Sequence, residues 1–235
     1  MIEWDQIDTV LLDMDGTLLD LHFDNYFWMQ HLPVKYADFH ELEPAQALEK
    51  LTQQMKDKVG QLEWYCLDYW SDLTGMPIAK LKEDISDKIQ FRPHVQDFLK
   101  ALKKAGKKSI VVTNAHRDSV DLKMLHTNLD KMVDGIISSH DYAFPKEEQG
   151  FWQSLMENAP FDLQRTVLID DSLPVLESAR KYGFEHLLCI SQPDSQKPKR
   201  DISQFKAVDQ FSDIMPILKP SDTNHEWNRK ENTPG

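Results

Sequence analysis

Five short apolar runs decide what this chain can fold into: Ile7 to Leu12, Ser109 to Val112, Gly135 to Ser138, Thr166 to Ile169 and His186 to Ile190. Each is too short for a helix and too apolar for a loop, so each reads as a strand buried in a sheet. Segments of helical spacing separate the last four. Asp118 to Leu129 carries Val120, Met124 and Leu125, a second segment carries Phe151, Trp152, Leu155 and Met156, and Pro174 opens a third through Val175, Leu176 and Ala179 that stops near Gly183. Another helix follows Phe91-Arg92-Pro93, with Val95, Phe98, Leu99, Leu102 and Ala105 on one face and Gly106 at its end. Right-handed crossovers between such strands give a mostly parallel sheet with helices on both faces, an α/β Rossmann-like core. In such sheets ligands bind outside the carboxyl ends of the strands.

The stretch between the first run and the others follows a different pattern. Leu48, Leu51, Met55 and Val59 repeat at spacings of three and four behind a helix start at Glu43-Pro44. Leu62, Tyr65, Cys66, Tyr69, Trp70 and Leu73 repeat similarly until Gly75-Met76-Pro77, and Leu81, Ile85 and Ile89 mark a third helix. The expected organisation is a core of residues 1–18 and 91–218, an antiparallel helical insert at 19–90, and a polar, aperiodic, disordered tail at 219–235. Gln192 to Asp201 reads as a solvated loop carrying Lys197, Lys199 and Arg200.

Charge and composition narrow the function. A net charge of -12 and a pI near 5.1 speak against a nucleic-acid binder, which needs a basic face. Neither a secretory leader nor a bilayer-spanning window is visible, so the expected location is cytoplasmic, with no membrane or protein partner implied. Cys66 and Cys189 are the only cysteines, too few for a disulfide framework or a Cys-rich metal site. His31, His40, His94, His126, His140 and His186 show no metal-ligand spacing and read as structural or exposed.

The chemistry stands where the strands end. The first run leads into Asp13-Met14-Asp15-Gly16-Thr17, with two carboxylates at the edge of an apolar core, where they need a cation or a role in phosphate transfer. A carboxylate can attack phosphorus directly, and a second one two residues on can manage the leaving group's proton. Gly16 permits a sharp turn and close approach to a ligand. Thr113 and Asn114 end the second run, and Asp170-Asp171 end the fourth.

Asp-x-Asp-Gly-Thr behind a hydrophobic strand resembles the first motif of the haloacid dehalogenase superfamily. Three further motifs follow in order: Thr113 with Asn114 behind it, Lys146 within Phe144-Pro145-Lys146-Glu147, and Asp170-Asp171. The resemblance implies that Asp13 takes the phosphoryl group, Asp15 acts as acid and then base, and Thr113, Asn114, Lys146 and the amides of Met14, Gly16 and Thr17 hold the phosphate. It implies Mg2+ bound by Asp13, the Asp15 carbonyl and Asp170, with Asp171 behind them, acting through water or a partner such as Lys146. The second Asp favours a phosphate ester over a haloalkanoate, because a halide leaves without an acid.

An insert between the first and second motifs resembles the superfamily's helical cap, which closes over the core and carries specificity. Leu19 to Trp28, together with Thr113-Asn114-Ala115-His116-Arg117, look like the bacterial GMP/IMP 5'-nucleotidases of the superfamily. That likeness makes a purine nucleotide the expected small-molecule partner. Phe23, Trp28, Trp64, Tyr65, Tyr69 and Trp70 are candidates for stacking, and His22, Asn25 and Arg117 for polar contacts, although Tyr65, Tyr69 and Trp70 at helical spacing read more readily as cap core. A sugar-phosphate phosphatase or phosphomutase with the same core residues is the alternative, and a catalytically silent binding protein is a more distant one.

Overall fold

The chain, seen in a computed structural model that describes residues 2–216, begins with a single 3-10 turn, Trp4–Gln6, followed by strand β1, Thr9–Leu12. The tail expected to be disordered lies outside the described residues. Six helices follow: α1 His22–Tyr26, α2 Leu32–His40, α3 Pro44–Lys56, α4 Leu62–Tyr65, α5 Leu67–Thr74 and α6 Ile78–Glu83. The chain then alternates through α7 Val95–Lys104, β2 Lys108–Thr113, α8 Arg117–Thr127, β3 Gly135–Ser138, α9 Gln149–Asn158, β4 Thr166–Asp170, α10 Leu173–Tyr182, β5 His186–Ile190 and β6 Lys206–Val208. All six strands pair parallel in the order β3-β2-β1-β4-β5-β6, a doubly wound α/β sheet. No helix among the described residues is long and apolar enough to cross a membrane.

The sheet is buried on both faces, which is why its strands are continuous apolar runs. Val10, Leu12, Val111 and Ile169 face Val95, Phe98, Leu99 and Val120, from α7 and α8. Leu11, Val112 and Leu168 face Phe151, Trp152, Leu155, Val175 and Leu176, from α9 and α10. A third apolar cluster lies wholly within the insert, around Phe23, Phe27, Leu51, Leu67 and the fully buried Trp70. The chain enters and leaves the insert as an antiparallel pair, in which Asp20 N–H donates to Gln90 O at 2.9 Å and Arg92 N–H to Leu18 O at 3.0 Å.

Local departures from the expected helices have physical causes. The helix expected across 62–73 is broken at Cys66, which is extended at φ -84° and ψ 111°. There the Trp70 indole N–H donates to Trp64 O at 3.0 Å, taking the carbonyl that a continuous helix would offer to the amide four residues on. Val59 lies beyond the end of α3 and is 65% exposed, so it belongs to no buried face. Between α1 and α2 the backbone adopts a π-turn over Phe27–His31, and Pro33, which has no N–H to give, sits in the first turn of α2. β6 was not expected: its three residues, Lys-Ala-Val, are exposed at two positions and show no apolar run.

Insert and core meet through buried charge. Asp24 of α1 receives Lys82 of α6 at 2.6 Å and Lys123 of α8 at 2.8 Å, and both lysines are almost fully buried. Burial alone would raise the Asp24 carboxyl, but the Lys123 and Lys82 charges more than offset it and hold the pKa below the usual carboxylate range. Its contribution to stability is therefore complete above the ordinary Asp value and is lost only as pH falls through the lowered one. Asp24→Asn leaves two buried ammoniums short of a counter-charge and is expected to cost about 3–5 kcal/mol. Urea unfolding at neutral pH checks this, and an unmoved midpoint would contradict the seam's role.

Candidate active site

The parallel register brings the candidate residues to one edge. Leu12 lies opposite Val111 on one side and Ile169 on the other, so β1, β2 and β4 deliver Asp13, Thr113 and Asp170 side by side. Lys146 arrives from the loop between β3 and α9. Its Nζ donates to Asp13 Oδ1 at 2.6 Å, to Asp170 Oδ2 at 2.7 Å and to Val112 O at 3.1 Å, and the residue is 1% exposed. Asn114 pins that loop, since its Oδ1 accepts from Lys146 N–H at 2.9 Å and its Nδ2 donates to Glu147 at 2.9 Å. The Thr113 hydroxyl oxygen accepts from Ala115 N–H at 3.1 Å, which leaves its proton to donate elsewhere.

Three carboxylates crowd this edge, and ligating oxygens of Asp13, Asp170 and Asp171 all lie within 4.8 Å of one another. Burial pushes the Asp13 carboxyl up to about 6, with Lys146 opposing and Asp170 adding to the rise. Burial together with Asp13 and Asp170 raises Asp171 well above the usual carboxylate range. Burial would lower the Lys146 pKa, but the Asp13 and Asp170 charges hold it above that of an ordinary lysine. Lys146, with Arg200 3.9 Å from Asp171, stands against three carboxylates, which leaves negative charge uncompensated. Asp13 Oδ2, moreover, is buried without a hydrogen-bond partner. Hard oxygen donors with an unpaired buried oxygen fit a divalent cation of the Mg2+ type.

Asp15, on the same turn, has a different environment. Lys123 Nζ lies 2.7 Å from its Oδ1. Burial, with Asp24 and Asp13 assisting and Lys123 opposing, pushes its carboxyl up to about 6. Gly16 turns the chain at φ +90°, and a Cβ there would stand 2.8 Å from Asp171 Cγ and 2.9 Å from Pro193 Cβ.

A cavity of about 340 Å3 opens above these groups, lined by Asp13, Asp15, Thr113, Lys146, Asp170 and Asp171 below. Leu21, Asn25, Trp28, Trp64, Tyr65 and Leu67 of the insert line the opposite wall. Several sequence expectations change against this geometry. Phe23 does not reach the cavity, because at 1% exposure it fills the insert's apolar core; Trp70 lies in that core and the half-buried Tyr69 packs against it, as their helical spacing suggested. Arg117 forks onto Asp141 at the surface. His22 turns toward Asp194, 3.6 Å away, and Asn25, although in the cavity wall, gives its Nδ2 to Asp194 at 2.7 Å. Tyr65, read as core, instead lines the cavity and donates its hydroxyl to Glu147 at 2.7 Å.

One amide of the expected phosphate cradle is engaged within the chain. Gly16 N–H donates to Leu19 O at 2.8 Å and has no second proton for a phosphate. Met14 and Thr17 have fully buried side chains, and Thr17 O accepts from Arg92 at 3.2 Å. Asp171 was expected to act through water or a partner such as Lys146; the structure places Arg200 3.9 Å from it. Arg200 is not merely solvated, since it also donates to Asp171 O at 2.6 Å and Ile190 O at 2.8 Å. Asp170 has both oxygens engaged, by Lys146 and by Ser172 N–H at 2.8 Å, so Asp171 has the freer oxygens. Lys123 escaped the sequence reading, although its place three residues beyond buried Val120, on the packed face of α8, was a signal.

Comparison with known proteins gives a consistent family. The family model for haloacid dehalogenase-like hydrolases matches residues 10–189. The GMP/IMP nucleotidase YrfG of Escherichia coli strain K12 is 38% identical over 217 residues, spanning 92% of this chain and 98% of its own. A HAD phosphatase from Thermococcus onnurineus has a similar fold, with a TM-score of 0.74 at 20% identity over 88% of this chain and 96% of its own. YfnB of Bacillus subtilis, solved bound to magnesium, matches with a TM-score of 0.62 at 18% identity over 88% of this chain and 96% of its own.

Gly16→Ala combines an unfavourable φ with overlap against Asp171 and Pro193, so the acidic loop must shift. Catalytic turnover by this variant is expected to fall at least about tenfold, the effect of a misplacement worth about 1.4 kcal/mol in the barrier, while circular dichroism stays native. Full activity would show that the contact does not set the loop.

Proposed function

The chain belongs to the haloacid dehalogenase-like hydrolase family, and from that premise we propose that it is a Mg2+-dependent phosphomonoesterase acting on purine nucleoside 5'-monophosphates, GMP and IMP, through a phosphoaspartate on Asp13. The observation that carries the chemistry is the division of cations between two carboxylates on one turn: Lys146 holds Asp13, and Lys123 holds Asp15. Two carboxylates with separate partners can take separate roles.

Asp13 attacks phosphorus, and the bond to the ester oxygen breaks as Asp15 gives that oxygen its proton. The nucleoside leaves with its hydroxyl restored. Asp15, now ionised, takes a proton from water as the water oxygen attacks phosphorus, releasing phosphate and freeing Asp13. Lys146 fixes the Asp13 carboxylate and places positive charge beside the transferring oxygens, and Thr113 supplies a hydroxyl donor. Asp13 and Asp171, with Asp170 alongside, would hold the metal, whose charge would offset the repulsion between an anionic carboxylate and an anionic phosphate.

The substrate reading rests on the 38% identity to the GMP/IMP nucleotidase over nearly the whole chain, and on the apolar wall of Trp28, Trp64 and Tyr65, which suits a flat base. Lys82 and Asn25 also line the cavity, Lys82 paired with Asp24 and Asn25 giving its Nδ2 to Asp194. Phosphate release with Mg2+ across purine and pyrimidine nucleotides and sugar phosphates tests this, with Asp13→Asn as the blank. Selective turnover of IMP and GMP is expected; preference for sugar phosphates would overturn the substrate, and turnover by Asp13→Asn would overturn the nucleophile.

The role of Asp15 has a separate test. Nitrophenolate leaves without a proton, so Asp15→Asn given p-nitrophenyl phosphate is expected to release one equivalent in a burst and then stall, with steady turnover down about 10²–10⁴-fold. A steady rate without a burst would place the acid and base elsewhere.

A further inference from the structure

Three residues far apart in the sequence meet on the other side of the substrate cavity's wall. Cys66 lies between α4 and α5 of the insert, His116 caps the start of α8, and His140 sits in the single turn Ser139–Asp141 after β3. Ligating atoms of the three all lie within 4.8 Å of one another. The two imidazoles stand edge to face, with ring centroids 5.0 Å apart at 82°. Cys66 is a free, half-buried thiol, and His140 Nε2 is shielded from solvent with no hydrogen-bond partner. A buried nitrogen without a partner is uncommon enough to require a reason. The carboxylate of Asp68 stands 3.5 Å from His116 Nε2 and that of Asp118 3.7 Å from its Nδ1, so the surroundings favour a cation.

We propose that Cys66, His116 and His140 form a binding site for a divalent transition metal of the Zn2+ class, and that metal bound there inhibits the enzyme by clamping the helical insert to the core. The chemistry of the donors separates this site from the carboxylate cluster. Thiolate and imidazole select Zn2+ or Co2+ over Mg2+, whereas carboxylates alone do the reverse. Tetrahedral zinc with bonds of about 2.0–2.3 Å places its ligand atoms roughly 3.3–3.8 Å apart, so each donor moves by about an ångström at most. Cys66 and His140 also border a cleft with Leu62, Ala143, Pro145 and Glu148, which gives an ion a way in. His116 lines the substrate cavity on its other side. Because Cys66 belongs to the insert and both histidines to the core, a shared ion opposes the parting of the two that substrate entry and product release require.

Titration of the full chain with Co2+ under saturating Mg2+ tests the site without reference to any substrate. One equivalent is expected to bring up the thiolate-to-cobalt charge-transfer band, and Zn2+ to abolish it by displacement. Cys66→Ser should remove the band, and His140→Ala should weaken Co2+ binding at least tenfold. Absence of the band from the wild-type chain, or its survival in Cys66→Ser, would overturn the site. The inhibitory role rests on the phosphatase reading and is read on p-nitrophenyl phosphate. Stoichiometric Zn2+ should slow the wild type at least tenfold and leave Cys66→Ser, whose turnover without Zn2+ is unchanged, unaffected. Equal inhibition of both would overturn the clamp.

Discussion

The site depends on one ammonium. Lys146 Nζ lies between Asp13 and Asp170 and also reaches the Val112 carbonyl, so a single buried charge ties the ends of β1, β2 and β4 together. Two buried carboxylates at this distance would repel each other strongly without it. The loop that brings Lys146 is in turn held by Asn114, and Glu147, the next residue, accepts from both Asn114 and Tyr65 of the insert. Lys146, the second strand and the insert thus share one hydrogen-bonded chain that ends at the Asp13 carboxylate.

A second chain of charge runs parallel to the first. Asp15, Lys123, Asp24 and Lys82 alternate in sign from the turn after β1 into the insert. Buried charges of this kind are costly unless each has its partner, so the insert must be docked for Lys123 to be fully compensated. The same docking places the apolar wall of Trp28, Trp64 and Tyr65 above Asp13. Docking of the insert and assembly of the site are therefore one event.

Much of the core was legible because buried parallel strands are written as unbroken apolar runs, and because Pro174, Gly106 and Gly183 punctuate its helices. Placement of functional types at strand ends was legible for the same reason, since the sheet alone gathers Asp13, Thr113 and Asp170. Tertiary pairing was not. Lys123, Lys82 and Asp24 look like ordinary surface charges until α1, α6 and α8 are packed together, and Arg200 in a polar loop gives no sign that it reaches Asp171. Nearness in sequence misled at Phe23, His22 and Arg117. One is on the inner face of its helix, and the other two are captured by Asp194 and Asp141. Cys66, His116 and His140 have no recognisable spacing because three separate segments supply them.

The proposed reaction turns on Asp13 carrying the phosphoryl group. The most direct measurement is acid quenching of the full chain after milliseconds with Mg2+ and 32P-labelled IMP, followed by mapping of the label. Label on Asp13 that appears before free phosphate and decays as phosphate forms is the predicted result. Phosphate released with no label ever resident on the protein, or label on any other residue, would contradict the mechanism.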